Sequence, residues 1–384
     1  MTTDEPTSEG AESNAFASAT VDRIRQAGGA WDLPGGRLLL PRVFGLCRGV
    51  KRALAMLGRA VEDHRQQPGR LFLLGEIIHN PWVNAFFEAR GVRSLTRDQH
   101  AELEAIITAD DCAIIPAFGV PLPIERRLKA IGCELVDTSC GDVRRLWAWA
   151  EKAAGQGYGV VIFGRADHDE TVVTRSRLAE VGGRYVVVGD LAEARRLCDL
   201  IAGGADEVQF ARMFDRSKTN AESLAPFERV AQVSQTTMLY DDTTHVRRLL
   251  REAFASRFGA EGGQRRLLFE PTVCQATQDR QAAAIELCES KLDLAVVVGG
   301  FGSSNTRHLY ELARGRVPSW FIEDADAIRS AREILAMDPA GNGPVAMSDW
   351  LPEHRPLRVG VLAGASSPDV VVGGVLEALA ELLS

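Results

Sequence analysis

The stretch Leu294-Ala-Val-Val-Val298-Gly-Gly-Phe-Gly-Ser-Ser-Asn305 decides the fold class of this chain of 384 residues. An apolar run rich in valine is followed by a glycine-rich turn and then by residues that begin a helical pattern. An apolar run without alternating polar residues is typical of a parallel strand that is covered on both faces. The stretch therefore predicts a strand, a tight turn and a helix, which together form the repeating unit of an α/β protein.

The same pattern recurs from Gly36 onward, where short apolar runs alternate with longer amphipathic segments. We predict strands at residues 37–44, 71–74, 113–116, 134–137, 159–163, 185–188, 230–233, 267–269, 294–298, 320–322 and 358–362. Continuous apolar runs separated by helices indicate several βαβ units and parallel sheets. The predicted fold class is therefore α/β.

Polar clusters follow many of these strands. In α/β sheets, ligands bind beyond the carboxyl ends of the strands, so we expect these clusters to converge on one site. The clusters are Cys47, Gly75 to Asn80, Phe118-Gly119, Cys140, His168 to Glu170, Ser234 to Thr237, Cys274, Gly299 to Asn305 and Gly364 to Ser367.

Three of the seven cysteines lie at predicted strand-to-helix turns: Cys47, Cys140 and Cys274. The amides and dipole of a following helix stabilise a thiolate, and the wide spacing suggests one ligand from each of three lobes. Three thiolates without a nearby fourth could hold an iron–sulfur cluster and leave one iron open to substrate. Zinc is less favoured, because its sites usually contain closely spaced cysteine pairs. The pattern alone leaves open whether these cysteines are ligands or buried structural residues.

The other four cysteines are expected to be buried structural residues: Cys112, Cys133, Cys198 and Cys288.

Two histidines are candidate functional residues. His79 follows an apolar strand, and Pro81 bends the chain away, so its imidazole is expected to face the cleft at the strand ends. His168 lies two residues from Glu170, a spacing that allows the two side chains to share acid–base work. The remaining histidines are expected at the surface: His64, His100, His245, His308 and His354.

The turn from Gly299 to Asn305 favours binding of a phosphate group, because free amides and hydroxyls would lie at a helix N-terminus. It matches neither the dinucleotide-binding glycine pattern nor a P-loop with its lysine. We therefore predict a phosphate that is not part of a nucleotide. Thr236, Thr237 and Ser366 add hydroxyl donors at other strand ends.

Composition excludes several classes of partner. A net charge of −8 without a basic stripe does not favour nucleic acid, and the chain lacks the long apolar run of a membrane span. The N-terminus also lacks a basic flank followed by an apolar stretch, so we expect a soluble, cytoplasmic protein. An odd number of scattered cysteines indicates reduced thiols or metal ligands rather than disulfides. Residues 1–35 are expected to form a disordered acidic tail, because large apolar residues are scarce at the start.

A set of ordered motifs resembles the 4-hydroxy-3-methylbut-2-enyl diphosphate reductase family, over residues 37–384. Phe118, together with Asp349-Trp-Leu-Pro, is similar to the plant and cyanobacterial branch. The motifs are Gly75-Glu-Ile-Ile-His-Asn-Pro, Pro116-Ala-Phe-Gly, His168-Asp-Glu-Thr-Val-Val-Thr, Gln235-Thr-Thr-Met, Cys274-Gln-Ala-Thr-Gln-Asp-Arg-Gln, Val297-Val-Gly-Gly-Phe-Gly-Ser-Ser-Asn-Thr, Asp349-Trp-Leu-Pro and Ala363-Gly-Ala-Ser-Ser-Pro-Asp.

The resemblance implies a trefoil of three α/β lobes around a central [4Fe–4S] cluster. The lobes would span residues 36–139, 140–270 and 271–384, with the first strand, at about residues 36–46, pairing with the third lobe. The cluster would be held by Cys47, Cys140 and Cys274 and would have one iron without a protein ligand.

The resemblance also implies the reaction and its residues. The family removes the allylic hydroxyl of its diphosphate substrate with two electrons and two protons, giving isopentenyl and dimethylallyl diphosphates for isoprenoid biosynthesis by the methylerythritol phosphate pathway. Reduced ferredoxin or flavodoxin supplies the electrons. Glu170 would deliver a proton, and Thr237 would orient substrate and water. His168, beside the same pocket, would be a further catalytic residue. The residues expected to bind the substrate are His79, Thr236, Thr277, Ser303, Ser304, Asn305 and Ser366.

The chain departs from the family pattern directly after the cysteines, at Arg48, Lys51, Gly141, Asp142 and Gln275. These changes allow an alternative, namely a paralogous [4Fe–4S] reductase or dehydratase acting on another phosphorylated or allylic compound. A non-catalytic cluster protein that senses redox state is a second alternative. A zinc-stabilised scaffold is a third.

Overall fold

The computed structural model describes residues 15–65, 67–203, 207–341 and 343–384. Within these residues the chain forms three largely parallel sheets of four or five strands and one separate hairpin, with helices packed around them. None of the helices in this part of the chain combines the length and the apolar character that crossing a bilayer requires.

The described N-terminal segment, from residue 15 onward, contributes two strands to the five-stranded sheet, which is the sheet of the third lobe. Its elements are α1 (Ala19–Gln26), β1 (Ala30–Leu33) and β2 (Gly36–Leu39). Strands β1 and β2 form an antiparallel hairpin, and β2 continues into the third sheet by parallel pairing with Leu357–Ala363.

The first lobe contains a four-stranded parallel sheet in the order β4-β3-β5-β6. Every neighbouring pair in it is parallel, so all four strands end at the same edge. Its elements are α2 (Arg48–His64), β3 (Leu71–Leu73), α3 (Pro81–Glu88), β4 (Val92–Ser94), α4 (Leu103–Ile106), β5 (Cys112–Ile115), α5 (Leu122–Ile131) and β6 (Glu134–Asp137).

The second lobe has a parallel sheet in the order β10-β9-β7-β8. All residues of β7, β8 and β9 are buried, as expected for a sheet that helices cover on both faces. Its elements are α6 (Gly141–Gly155), β7 (Gly159–Phe163), α7 (Asp169–Glu180), β8 (Tyr185–Val188), α8 (Leu191–Gly203), α9 (Glu207–Met213), β9 (Val230–Ser234), α10 (Tyr240–Phe258), α11 (Ala260–Gln264) and β10 (Leu267–Phe269).

The third lobe completes a five-stranded sheet in the order β1-β2-β15-β11-β12. The fully buried β11 lies between β12 and β15, so the stretch that predicted the fold class forms an inner strand of this sheet. The elements are α12 (Gln275–Cys288), β11 (Leu294–Val298), α13 (Ser304–Arg314), β12 (Ser319–Ile322), β13 (Glu333–Met337), β14 (Pro344–Ser348), β15 (Leu357–Ala363) and α14 (Asp369–Leu382).

The α/β class with parallel sheets is confirmed, and we propose residues 36–139, 140–270 and 271–384 as the three lobes, because each range contains the helices and most strands of one sheet. Four strands were not predicted from the sequence. Strands β1, β4, β13 and β14 are short or partly exposed, so they lack the continuous apolar run that marks the inner strands. The predicted first strand is also too long, since β2 ends at Leu39.

The expectation of a disordered tail up to residue 35 is wrong for residues 15–35, while residues 1–14 lie outside the described part. Val21 and Ile24, three residues apart on α1, are buried in the core of the third lobe. Arg25 makes a bidentate ion pair with Asp369, the first residue of α14. The scarcity of apolar residues was a poor guide to disorder in this segment, because two correctly spaced apolar side chains suffice to dock a short helix.

Docking of α1 should contribute measurably to stability. We expect Ile24→Ala to lower the free energy of unfolding by about 2–5 kcal/mol, the usual cost of truncating a buried isoleucine. Urea titration followed by circular dichroism measures this change. Gln26→Ala, on the exposed side of the same helix, is the control, and equal stability of both variants with the wild type would show that α1 is not docked.

Candidate active site

Three cysteines from three parts of the chain begin three helices. Cys47, Cys140 and Cys274 have extended backbone conformations and are the N-cap residues of α2, α6 and α12. The Cys47 sulfur accepts a hydrogen bond from the amide of Val50, in the manner of an N-cap side chain. Three helix N-termini therefore point at the same region, which favours negative charge there.

The three thiols face one cavity, in which the space free of protein atoms is about 640 Å³ and part of it opens to solvent. The predicted residues that line it are Cys47, His79, Cys140, His168, Thr236, Thr237, Cys274, Thr277, Ser303, Ser304, Asn305 and Ser366. Glu170 is the predicted site residue that does not line the cavity, because it lies buried behind Thr236.

Gly49 shows how closely two of the thiols approach α2. A Cβ atom at Gly49 would lie 2.7 Å from the sulfur of Cys140 and 3.8 Å from the sulfur of Cys47. Only a residue without a side chain leaves both sulfurs in place. The space around the thiols is thus shaped by a glycine in the first turn of a helix, where glycine is otherwise unfavourable.

The spacing of the three sulfurs fits a cluster better than a single ion. Among the described residues, the one group of His, Cys, Asp or Glu ligands whose atoms all lie within 4.8 Å of one another is His64, Cys112 and Glu134, on another part of the first lobe. At least one pair of the Cys47, Cys140 and Cys274 sulfurs is therefore more than 4.8 Å apart. Bonds of about 2.3 Å to one zinc ion would place sulfurs only about 3.8 Å apart. A larger group bound to all three is compatible with this separation.

A buried guanidinium near the thiols also favours an anionic group at this site. Arg280 is 5% exposed, and its hydrogen bonds go to the carbonyl groups of Gly45 and Ala276. The charges of Cys47 and Cys274 in their thiolate forms would raise the pKa of Arg280, while burial lowers it more strongly. A buried cation near two thiols suits an anionic group at this position, since buried charges require partners. The residues present therefore fit an iron–sulfur cluster.

Burial keeps two of the thiols protonated in the protein without metal. Desolvation raises the pKa of Cys140, and it raises the pKa of Cys274 to about 11. Metal binding must therefore release protons, as is usual for thiolate ligands. The Cys274 sulfur also lies 3.2 Å from the hydroxyl oxygen of Thr277, which places a hydroxyl beside a candidate ligand.

Glu170 is a fully buried carboxyl group at the back of the cavity. Its two oxygens contact the backbone amide and the hydroxyl of Thr236, at 2.6 and 2.7 Å. Desolvation raises the pKa of Glu170 to about 7, although the hydrogen bonds from Thr236 oppose this shift. A carboxyl group with a pKa near neutrality can hold and release a proton at physiological pH.

An aromatic cluster lies beside Glu170. The ring of Phe118 stacks on His79 with centroids 4.5 Å apart, and His168 meets both rings edge-on. Burial and the nearby His79 lower the pKa of His168 to about 3, so His168 is neutral near pH 7. Its Nδ1 accepts the amide hydrogen of Glu170, and the Nε2–H is consequently the donor that remains for another group.

Hydroxyl and amide groups line the third side of the cavity. Ser303 is the N-cap of α13, and the hydroxyl of Ser366 lies 3.1 Å from its oxygen. Asn305 accepts the amide hydrogen of Ala365 and donates to Thr277. Neutral donors at the start of a helix form an anion-binding arrangement.

Gln235 belongs to the predicted cluster from Ser234 to Thr237, but no role in the site was predicted for it. Its Nε2 lies 2.7 Å from the hydroxyl oxygen of Thr237 and 3.1 Å from that of Ser304. It thereby links the second lobe to the N-terminus of α13. Arg280 and Gly49 were not predicted as site residues either. The position of Arg280 within the motif that begins at Cys274 could have indicated its role.

The departures from the family pattern lie outside the cavity. Arg48, Lys51, Gly141, Asp142 and Gln275 are exposed, and none of them lines it. Asp142 is nevertheless near enough for its charge to raise the pKa of Glu170, as a smaller effect than burial. The lining residues contain neither lysine nor arginine, so an anion in the cavity would be held by neutral donors, helix N-termini and histidine.

The fold and site define a three-lobed α/β protein with a central thiol-bearing cavity. Comparison with protein families matches residues 38–380 to the family described as LytB protein. A 4-hydroxy-3-methylbut-2-enyl diphosphate reductase of Synechococcus sp. (strain CC9605) is 36% identical over 375 residues, covering 96% of this chain and 91% of the relative. The corresponding reductase of Gloeobacter violaceus is 37% identical, covering 96% and 88%. The chain belongs to the LytB family, and the resemblance to cyanobacterial members is confirmed.

Solved structures agree on the fold. A structure of the E-1-hydroxy-2-methyl-but-2-enyl-4-diphosphate reductase from Plasmodium falciparum matches with a TM-score of 0.65 at 19% identity, covering 88% of this chain and 86% of that one. A structure of (E)-4-hydroxy-3-methyl-but-2-enyl diphosphate reductase, described as the terminal enzyme of the non-mevalonate pathway, matches with a TM-score of 0.53 at 24% identity, covering 90% and 99%.

Gly49 provides a direct test of the thiol arrangement. We expect Gly49→Ala to lower the iron bound after anaerobic reconstitution, because the added methyl group displaces the Cys140 sulfur. Iron analysis and the visible absorption of the cluster measure this loss.

Gly141→Ala is the matched control, because a Cβ at Gly141 meets no atom within 4 Å. Both variants should retain the helical circular dichroism of the wild type. Full iron binding by Gly49→Ala would contradict the proposed role of these thiols.

Proposed function

We propose that this protein is the reductase that removes the allylic hydroxyl of 4-hydroxy-3-methylbut-2-enyl diphosphate and yields isopentenyl and dimethylallyl diphosphates. The observation that carries this proposal is one cavity that combines three thiols with an anion-binding helix N-terminus, while a buried carboxyl group with a pKa of about 7 lies directly behind the lining residue Thr236. Each of the three parts matches one requirement of the reaction, namely electrons, substrate binding and protons.

The cofactor proposed for the site is a [4Fe–4S] cluster held by Cys47, Cys140 and Cys274, with one iron lacking a protein ligand. LytB reductases are iron–sulfur enzymes. When bound, such a cluster would supply the electrons and a Lewis-acidic iron for the departing hydroxyl. The buried Arg280 would offset part of its negative charge.

The diphosphate would lie against the start of α13. Ser303, Ser304, Asn305 and Ser366 provide hydroxyl and amide groups there, and His79 lies beside them, since its backbone oxygen is 3.5 Å from the Ser366 hydroxyl. The Nδ1 atom of His79 contacts Glu76 at 2.8 Å, which fixes the orientation of its ring. Because these donors are part of rigid elements, the site is organised before the anion enters.

Protons would reach the substrate from Glu170 through a hydroxyl group. When Glu170 is protonated it can donate to the Thr236 oxygen, which lies 2.7 Å away, and the Thr236 hydroxyl can in turn donate into the cavity. The overall reaction consumes two electrons and two protons, breaks the C–O bond and forms water. Glu170 must be reprotonated from solvent after each transfer.

Thr237, Thr277 and His168 would orient the reacting hydroxyl and water. The Thr237 hydroxyl lies 3.0 Å from that of Ser304, between the second lobe and the phosphate-binding turn. Thr277 lies between the Cys274 sulfur and Asn305. His168 contributes a neutral N–H donor, since burial and His79 hold its pKa near 3.

The electron donor is proposed to be reduced ferredoxin or flavodoxin, each of which delivers electrons at low potential. A cytoplasmic location is proposed as well, because the seven cysteines are all free thiols in the structure and a reducing compartment preserves them.

Turnover of the anaerobically reconstituted protein tests the function. With a reduced donor and 4-hydroxy-3-methylbut-2-enyl diphosphate, we expect both isoprenoid diphosphates as products. An intact cluster without product would favour a paralogue with another substrate. The location of Arg48, Lys51, Gly141, Asp142 and Gln275 outside the cavity favours the family substrate over that paralogue.

A redox sensor and a zinc scaffold would each give a distinct result. A redox sensor would bind the cluster and lack reductive turnover with any allylic diphosphate, but the buried Glu170 would then have no role. A zinc scaffold would be colourless after anaerobic purification and would contain zinc in place of iron at these thiols.

The pH dependence of turnover tests Glu170. Because the protonated form donates, the rate should fall as pH rises through about 7, the pKa of this carboxyl in the folded protein. Glu170→Gln should lower kcat by about 10²–10⁴-fold, as loss of a general acid does, and should remove this limb of the profile.

Glu180→Gln, at the exposed end of the same helix, serves as the control and should leave kcat and the pH profile unchanged. Iron content is measured for each variant. Unchanged turnover by Glu170→Gln with a full cluster would refute the role in proton delivery.

A further inference from the structure

A second group of ligand side chains lies at the other edge of the first-lobe sheet. Cys112 and Glu134 are the first residues of the parallel strands β5 and β6, and they are direct neighbours in the strand register. His64 is the last residue of α2. The His64, Cys112 and Glu134 ligand atoms all lie within 4.8 Å of one another.

His64 was expected at the surface, and that expectation is wrong. It is 7% exposed, and its Nδ1 lies 3.0 Å from the backbone carbonyl oxygen of Ala60. A carbonyl oxygen only accepts, so Nδ1 must carry the hydrogen. A ligand histidine in a metal site typically donates its other N–H to a carbonyl or carboxylate in this way.

The free nitrogen of His64 then faces an anionic oxygen. Nε2 lies 3.4 Å from a carboxylate oxygen of Glu134. In a neutral imidazole this nitrogen carries a lone pair, so two acceptors would face each other. A cation bound to both atoms would remove this unfavourable contact.

Cys112 completes the group on its buried side. It is fully buried, and its sulfur lies near both His64 and Glu134. The neighbouring Cys133 differs, because its thiol contacts the carbonyl of Leu128 at 3.6 Å. The two nearby thiols therefore have different surroundings, although both lie close to the start of a strand.

We propose that His64, Cys112 and Glu134 bind one zinc ion, with water in the fourth position. Imidazole, thiolate and carboxylate are the three ligand types of zinc sites, and this mixture is less suited to calcium or magnesium. Bonds of about 2.0–2.3 Å in a tetrahedron place ligand atoms roughly 3.3–3.8 Å apart. The 3.4 Å between His64 and Glu134 already meets this spacing.

The site is accessible from solvent through Glu134, whose side chain is 57% exposed. The small adjustment that zinc needs can come from this flexible side chain. The bound ion would join the end of α2 to the starts of β5 and β6. Since α2 begins directly after Cys47, zinc would stabilise the lobe that carries the first cluster ligand, without touching the cavity.

Zinc binding to the reconstituted holoprotein tests this proposal. Zinc and iron per chain are measured together by elemental analysis after equilibration in a zinc buffer, and X-ray absorption at the zinc edge reports the ligands. We expect one zinc per chain with one sulfur and several nitrogen or oxygen ligands, while the iron content is unchanged. Cys112→Ser and Glu134→Gln should each weaken zinc binding. Cys112→Ser should weaken it by more than about 100-fold, because loss of a direct ligand costs more than the roughly 10–100-fold typical of a residue that only orients a ligand.

Cys133→Ser is the matched control and should bind zinc like the wild type. Glu134→Gln keeps the test valid if Cys112→Ser fails to fold. The Glu134 side chain is largely exposed, so its substitution should leave the fold intact. Absence of zinc in the wild type would overturn the proposal. So would zinc with three sulfur ligands, or equal affinity in Glu134→Gln, Cys112→Ser and the wild type.

Discussion

The convergence of three cysteine-capped helices on one cavity is the constraint on which the rest of the structure depends. Each helix begins in a different part of the chain, so Cys47, Cys140 and Cys274 meet only when the three lobes are packed together. The positive ends of the helix dipoles favour an anionic group at that point. Gly49 allows α2 to approach the sulfur of Cys140, and Arg280 supplies a buried cation from behind.

Burial gives two neighbouring polar groups of the site different roles, because it shifts the pKa of an acid and the pKa of a base in opposite directions. Glu170 is fully buried and its pKa is near 7, whereas the neighbouring His168 is kept neutral by the same loss of solvent. Desolvation disfavours the charged form of both groups, so it raises the pKa of the acid and lowers the pKa of the base. One buried wall thus provides a proton carrier and a neutral donor, side by side at the start of α7.

Much of the fold could be predicted from local pattern. The inner strands, such as β7 and β11, are short runs of apolar residues with turn signals on both sides, and burial on both faces leaves this mark in the sequence. The edge hairpin of β13 and β14 leaves no such mark, because many of its residues are partly or fully exposed. The docking of α1 was missed because it depends on two buried side chains, those of Val21 and Ile24.

The sequence by itself determined which residue types stand at the strand ends, and the ordered motifs there carried the resemblance to the LytB family. Only the tertiary structure decided that the thiols share a cavity, that Arg48 and Gln275 lie outside it, and that His64 lies buried beside Cys112 and Glu134. The physical reason is that pKa values, ligand spacing and anion binding depend on distances and desolvation between residues far apart in the chain. Local periodicity carries no information about those distances.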